Sequence, residues 1–248
     1  MVVFAYGVAS YVVFVLTALY AVGFVDNWVV SQTIDGGFRT GGSWLEAGLV
    51  NAVLLGLFAL QHAFMGRPVF RSAWARILPA AAERSTHVLV SSLSLMLVFL
   101  RWRPIPLELW SLELHPLGLV FELLSFAGWA LAFVGTIQIG HLELFGLAQV
   151  LAHVSGKAPA PAGFDVPFLY RWVRHPIYLG LLAAVWCAPA MTLGHLLFAG
   201  MSTAFVVALA RMEERDLARE HREYRDYQAR VPMLLPRTRP LPIRRRAG

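Results

Sequence analysis

The sequence predicts an all-α fold: a polytopic membrane bundle of about six spans, with a C-terminal helical hairpin and a cytoplasmic C-terminal helix. Three observations carry that expectation. Hydrophobic residues make up 58% of the 248 positions. Charged residues make up only 15%, where a soluble domain carries roughly 25%. The mean hydropathy is +0.60, and the apolar residues fall in long runs instead of alternating with polar ones. This composition excludes a disordered chain and a water-soluble enzyme.

A bilayer core needs about 20 apolar residues in a helix. Residues 2–25 meet that requirement, and the first charge is Asp26. With no basic segment before it and no small-residue cleavage site after it, the run reads as a retained span and not a signal peptide. The second run covers 47–65. The third, 85–100, is short and serine-rich, ending at Arg101 and Arg103, which can snorkel. If it is not a full crossing, the count is five. The fourth covers 117–139 and contains Glu122, a functional candidate as an intramembrane carboxylate. Residues 176–210 are too long for one span, and Pro189 and Gly194 predict a hairpin of 176–192 and 193–210. A flexible linker is expected over 155–167. The organisation is therefore N-terminal spans over 1–115, a core over 116–236 and a basic tail over 237–248.

Charge orients the bundle. Of the 21 lysines and arginines, all but Arg39, Arg101 and Arg103 fall in alternate loops or in the tail. The positive-inside rule then places both termini and the loops at 66–84 and 140–175 in the cytoplasm. The same distribution argues against a nucleic-acid partner. The basic residues flank spans, where they meet anionic headgroups, and the run Arg244, Arg245, Arg246 reads as a membrane anchor. Cys187 is the single cysteine, so no internal disulfide and no cysteine-based zinc site is available. No metal is expected.

Three clusters gather on that cytoplasmic face. The first is Gly140-His141-Leu142-Glu143-Leu144-Phe145-Gly146, where a histidine at a helix end also suits the dipole. The second runs from Tyr170 to Gly180 and includes Arg174, His175, Pro176 and Tyr178. Pro176 suits a first helical turn, which puts Arg174 and His175 at a helix N-terminus able to hold a carboxylate. The third, Arg211 to Leu217 with Glu213 and Glu214, follows the last span, and Tyr224 and Tyr227 lie beyond it. Together they offer cations for a carboxylate, carboxylates for an amino group and aromatics for a ring or a cation. A zwitterion with a positive centre and an aromatic base, such as S-adenosyl-L-methionine, fits this set. Gln61 and His62 close the second span on the same side. His62 and His141 also leave a haem ligand pair as an alternative.

Residues 138–236 resemble the isoprenylcysteine carboxyl methyltransferase superfamily. The resemblance rests on His141, the run Tyr170-Arg171-x-Val173-Arg174-His175-Pro176-x-Tyr178-x-Gly180, and Glu213-Glu214-x-x-Leu217 followed by Tyr224, Tyr227 and Val231-Pro232. The whole chain is similar to one branch, the bacterial methanethiol S-methyltransferases grouped with nurim. That match is carried by Leu19-Tyr20-x-x-Gly23-Phe24, Gln61-His62, His141-x-x-Leu144-Phe145-Gly146-Leu147-x-Gln149 and Pro232-Met233-Leu234-Leu235-Pro236. Two departures are Ala148, where a basic residue is expected, and Glu220-His221-Arg222, where a Phe-Gly pair is common.

The resemblance implies S-adenosyl-L-methionine held by His141, Leu142, Gln149, Tyr170, Arg174, His175, Tyr178, Glu213 and Glu214. It implies methyl transfer to a small thiol, methanethiol to dimethyl sulfide, in a bacterial inner membrane. Catalytic candidates are His141, Arg174, Glu214 and His62. His141, His62 and Glu214 are the candidate acceptors of the thiol proton, and the sequence does not choose among them. Other acceptors remain open, such as a prenylcysteine carboxylate or a lipid, as does a non-catalytic nurim-like role.

Overall fold

The computed structural model describes residues 1–38, 42–67, 70, 74, 76–156 and 166–241. The elements are α1 (Val2–Val25), α2 (Trp44–Met65), α3 (Ala80–Arg101), β1 (Glu108–Ser111), α4 (Pro116–Gln138), a one-turn α5 (His141–Leu144), α6 (Leu147–Val154), a 3-10 turn (Leu169–Arg171), α7 (Pro176–Trp186), β2 (Ala190–Thr192), α8 (Leu193–Glu220) and α9 (Arg222–Arg230). The basic run Arg244 to Arg246 and most of the linker expected over 155–167 lie outside the described residues.

Four helices, α1, α2, α4 and α8, are long and apolar enough to cross a membrane. They mark the chain as an integral membrane protein. Their outward faces carry Leu16, Leu57, Leu123 and Phe133, each more than half exposed, while Ser10, Asn51, Ser125 and Thr136 are buried. Apolar side chains point outward and polar ones inward because lipid, unlike water, solvates the former and leaves the latter without partners. The third run forms the longer helix α3, which starts at Ala80 and so takes in Glu83 and Arg84. These charges and its serines lower its hydropathy. Where the sequence predicts a span over 176–192, α7 stops at Trp186. Eleven residues rise only about 16 Å, half a bilayer core.

The connections meet alternately at two ends of the bundle. At the first, β1 pairs antiparallel with β2, the one sheet among the described residues and a departure from an all-α fold. Leu112 N–H donates to the Pro189 carbonyl, Trp102 Nε1–H donates to the Ile34 carbonyl at 2.9 Å, and Thr192 bonds Asp35. Buried His195 joins this end, its Nε2 2.7 Å from the Val185 carbonyl and its Nδ1 3.6 Å from Asp35. Phe24, Phe99, Trp102 and Phe198 fill the core beneath. The opposite end gathers the inner ends of α2 and α3, the turn at His141, α6, the segment before α7, and the charged extension of α8. There Tyr6 bonds Thr86, and Arg67 lies 3.9 Å from Asp216.

Two glycines set the tightest helix contact. A Cβ on Gly128 of α4 would meet Gly180 O and Ala184 N at 2.6 Å, and one on Gly180 of α7 would meet Ala132 N at 2.5 Å. Each helix thus presents a Gly-x-x-x-Ala face, Gly128 to Ala132 and Gly180 to Ala184, and the backbones touch. This contact holds the start of α7 against the inner half of α4.

Candidate active site

The residues before α7 are held by the chain that follows α9. Arg174 N–H donates to the Pro232 carbonyl at 2.9 Å and His175 N–H to the Met233 carbonyl at 3.2 Å. Arg237 and Leu241 N–H donate to the Trp172 and Arg171 carbonyls. Tyr224, Tyr227 and Val231 pack into a small buried cluster with Leu217, and the Tyr227 hydroxyl donates to the Tyr170 carbonyl at 2.6 Å. The tail therefore folds back and clamps Tyr170 to His175 against α8.

Within that clamp Arg174 donates through Nε to Glu214 Oε1 at 2.6 Å and through Nη1 to the carbonyls of Gln228 and Val231. His175 Nε2 lies 3.0 Å from the same oxygen, and Gln228 Nε2–H donates to Glu214 Oε2 at 2.9 Å. Both oxygens of Glu214 are engaged. Burial alone would raise its pKa, but the Arg174 guanidinium and the bonds from His175 and Gln228 outweigh burial and hold it below the usual carboxylate range. His175 is pushed down from its ordinary value, mainly by burial, so the neutral ring donates Nε2–H to Glu214.

Glu213 differs. The Tyr178 hydroxyl donates to its Oε1 at 2.6 Å, and its Oε2 stands 3.8 Å from His175 Nδ1. The side chain is 44% exposed, against 7% for Glu214. Low-dielectric surroundings raise its pKa, opposed by the Tyr178 bond and by the charge of Arg84, which brings the start of α3 into the site. The His175 and Tyr178 rings stack at 5.3 Å and 15°. Tyr170 reaches the Gly135 carbonyl, and burial with the nearby Glu213 charge raises its pKa, so it stays a phenol.

The His141 turn is built by two glycines. Gly140 at φ +92° and Gly146 at φ +88° adopt left-handed conformations that favour glycine, and a Cβ on Gly146 would meet Ser85 N at 2.7 Å. His141 sits between Phe133, Phe145 and Tyr11. Thr136 Oγ1 lies 2.7 Å from Nδ1 and the Tyr11 hydroxyl 2.8 Å from Nε2. Thr136 donates its hydroxyl proton to the Phe133 carbonyl. It can then only accept from His141, which fixes the Nδ1–H tautomer and leaves the Nε2 lone pair facing Tyr11. Burial lowers the pKa of His141, so the neutral ring prevails.

The structure thus gathers Tyr170, Arg174, His175, Tyr178, Glu213 and Glu214 in one network. Arg84 links it to the His141 turn, since its Nε–H also donates to the Leu144 carbonyl at 3.0 Å. Leu142 is 46% exposed on that turn. Gln149 donates to the Glu143 carbonyl, while its buried Oε1 has no partner among the described residues. His62 is not brought to His141. Its Nδ1 pairs with Ser91 at 3.0 Å, and its ring packs on Phe58, His87 and Phe205. Glu122 lies exposed on α4, outside the network. Tyr11 and Gln228 were not legible as site residues, because Tyr11 meets His141 across the fold and Gln228 reaches Glu214 only where α9 turns back on α8; Arg84 carried only a topology signal.

No family model and no solved structure matches the chain. The chain is 49% identical over 234 residues to methanethiol S-methyltransferase 1 of Bradyrhizobium diazoefficiens, covering 94% of this chain and 81% of that one. It is 45% identical over 233 residues to methanethiol S-methyltransferase of Mycobacterium tuberculosis, covering 93% and 94%. Nurim of Sus scrofa is 31% identical over 173 residues, covering 66% and 65%. Identity of this order along nearly the whole chain means that the protein belongs to the methanethiol S-methyltransferase family.

Proposed function

We propose that this chain methylates methanethiol to dimethyl sulfide with S-adenosyl-L-methionine as donor, at the cytoplasmic side of a bacterial inner membrane. The observation that carries this reading is the network around Arg174 and Glu213, in a chain of this family. The network suits a zwitterionic donor. Arg174 places a cation just before the N-terminus of α7, Glu213 is an open carboxylate, and the Gln149 oxygen lacks a partner among the described residues. Arg174 would hold the carboxylate and Glu213 the amino or hydroxyl groups. His175, Tyr170 and Tyr178 would border the ring, Leu142 and Gln149 the edge by His141, and Glu214 would position Arg174. The bound donor supplies an electrophilic methyl on a sulfonium. The chain must strip the thiol of its proton and keep water out.

In this reading the five long helices α1, α2, α3, α4 and α8 and the short α7 lie in the bilayer, with both termini cytoplasmic. Residues 1–115 support the core at 116–236, and lipids and a small thiol are its partners. The alternating ends of the bundle and the 18 basic residues assigned to one side support that orientation. The test is headspace gas chromatography of purified protein given donor and methanethiol. Dimethyl sulfide from native protein, lost in Glu213→Gln, is the expected result. Donor binding without sulfide would overturn the acceptor; neither in folded protein would overturn the enzyme.

One observation favours a second reading. An apolar groove of about 360 Å³ between α2, α3 and α8 is lined by Leu55, Phe58, Leu60, Phe198, Met201 and Phe205. None of its lining residues belongs to the donor network, so the second reading takes it as a berth for the hydrocarbon tail of a prenylcysteine or lipid acceptor and not for its reacting end. Competition by a prenylcysteine analogue against methanethiol distinguishes the two.

A further inference from the structure

We propose that Tyr11, on the first helix, completes the base: it passes the thiol proton to His141 Nε2, a deepening that rests on the thiol-methylation reading above. Three candidates for the acceptor are present, and the geometry separates them. Glu214 has both oxygens engaged by Arg174, His175 and Gln228, and their bonds stabilise the ionised form that would have to accept the proton. His62 is tied to Ser91 among Phe58, His87 and Phe205, and among the described residues it has no hydrogen bond or ring contact to the donor network. His141 alone has a defined lone pair, and Tyr11 stands on it at 2.8 Å.

The step balances. The thiol S–H bond breaks and its proton goes to Tyr11 Oη. The Tyr11 O–H proton goes to His141 Nε2, and the electron pair stays on sulfur as the thiolate that attacks the methyl. His141 becomes an imidazolium whose Nδ1–H still donates to Thr136. Tyr11 and His141 are both only partly buried, so a small solute can reach them. Phe14 stacked on Phe145 at 3.8 Å, with Phe133, forms an apolar wall that favours an apolar thiol. The titratable or charged groups around His141 are Glu143 on its own turn, Arg84 of α3 at the Leu144 carbonyl, and Tyr11 of α1; α4 contributes the neutral Thr136 and Phe133.

The experiment uses full-length protein in detergent. Rates of dimethyl sulfide formation at saturating donor are measured against methanethiol concentration from pH 6.5 to 9, for native protein, Tyr11→Phe, His141→Gln and the double variant. Tyr11→Phe is expected to lower kcat roughly a hundredfold, with KM and donor affinity within about twofold. The loss should shrink toward pH 9, where more thiol is already ionised. The double variant should be no slower than His141→Gln, because both residues serve one path. A second readout is ring-nitrogen NMR of labelled histidine. The signals absent from His141→Gln are expected to report an Nδ1–H ring, and Tyr11→Phe should shift its Nε2 signal. An unchanged kcat, a pH-independent loss, losses that multiply in the double variant, or unshifted Nε2 would overturn the relay. If native protein forms no sulfide, the function itself fails, and the ring-nitrogen shift still decides whether Tyr11 bonds Nε2.

Discussion

Replacing Arg174 with alanine tests the clamp most directly. Arg174 is 10% exposed and Glu214 7%. Removing the guanidinium leaves a buried carboxylate with only His175 and Gln228, and frees the carbonyls of Gln228 and Val231 that hold the tail. Breaking one side of a buried pair costs about 3–5 kcal/mol. For a chain of this length that is roughly 10 °C in thermal midpoint. The assay is thermal unfolding in detergent, with Glu214→Gln and the double variant completing a cycle. The double variant should be more stable than the two single losses predict, by roughly 1–3 kcal/mol, since the neutral amide introduced by Glu214→Gln no longer strands a charge. Arg219→Ala is the control, an exposed arginine whose partner is Asp216 three residues away, and should move the midpoint by about 1 °C or less. A midpoint for Arg174→Ala no lower than this control, or an additive cycle, would refute the buried pair as the clamp.

Two further outcomes follow from packing and from charge. Gly180→Val would drive methyls into the α4 backbone at Ala132 and Gly128, and is expected to cost about 1–3 kcal/mol or to separate α4 from α7. Gly56→Val, with nothing within 4 Å of its Cβ, should be nearly silent in the same unfolding assay. His175 is depressed from its ordinary value of 6.5, so the unfolded chain binds its proton first as pH falls. Its contribution to stability is present above pH 6.5 and is lost on acidification below it, before Glu214 follows at lower pH. His175→Gln should flatten the stability profile just below pH 6.5; an unchanged slope there would place the titration elsewhere.

How much was legible depended on whether the signal was local. Hydropathy located α1, α2, α4 and the start of α8 to within a few residues, because about twenty consecutive apolar side chains have one stable home; α8 runs ten residues past the expected end at 210, to Glu220. The polar clusters at His141, at Tyr170 to Tyr178 and at Glu213 and Glu214 stood out because charged and aromatic residues are dense there beside otherwise apolar runs. The end of α7 at Trp186 and the β1–β2 pair were not legible. Pro189 bars the helix from continuing, but that Ala190 to Thr192 turns extended follows from Glu108 to Ser111, about eighty residues away in sequence, offering backbone partners.

By itself, the sequence determined that this is a helical membrane protein, which end of it is basic, and where its polar residues gather, because burial in lipid and the cost of charge act residue by residue. Only the tertiary structure decided how those residues divide their work. Glu213 and Glu214 are neighbours in the chain, yet one is open and bonded by Tyr178 while the other is closed between Arg174, His175 and Gln228. Tyr11 reads as one more residue of an apolar span until α1 lies beside the turn that holds His141. Partners 130 positions apart are chosen by packing, and packing leaves no mark on either segment alone.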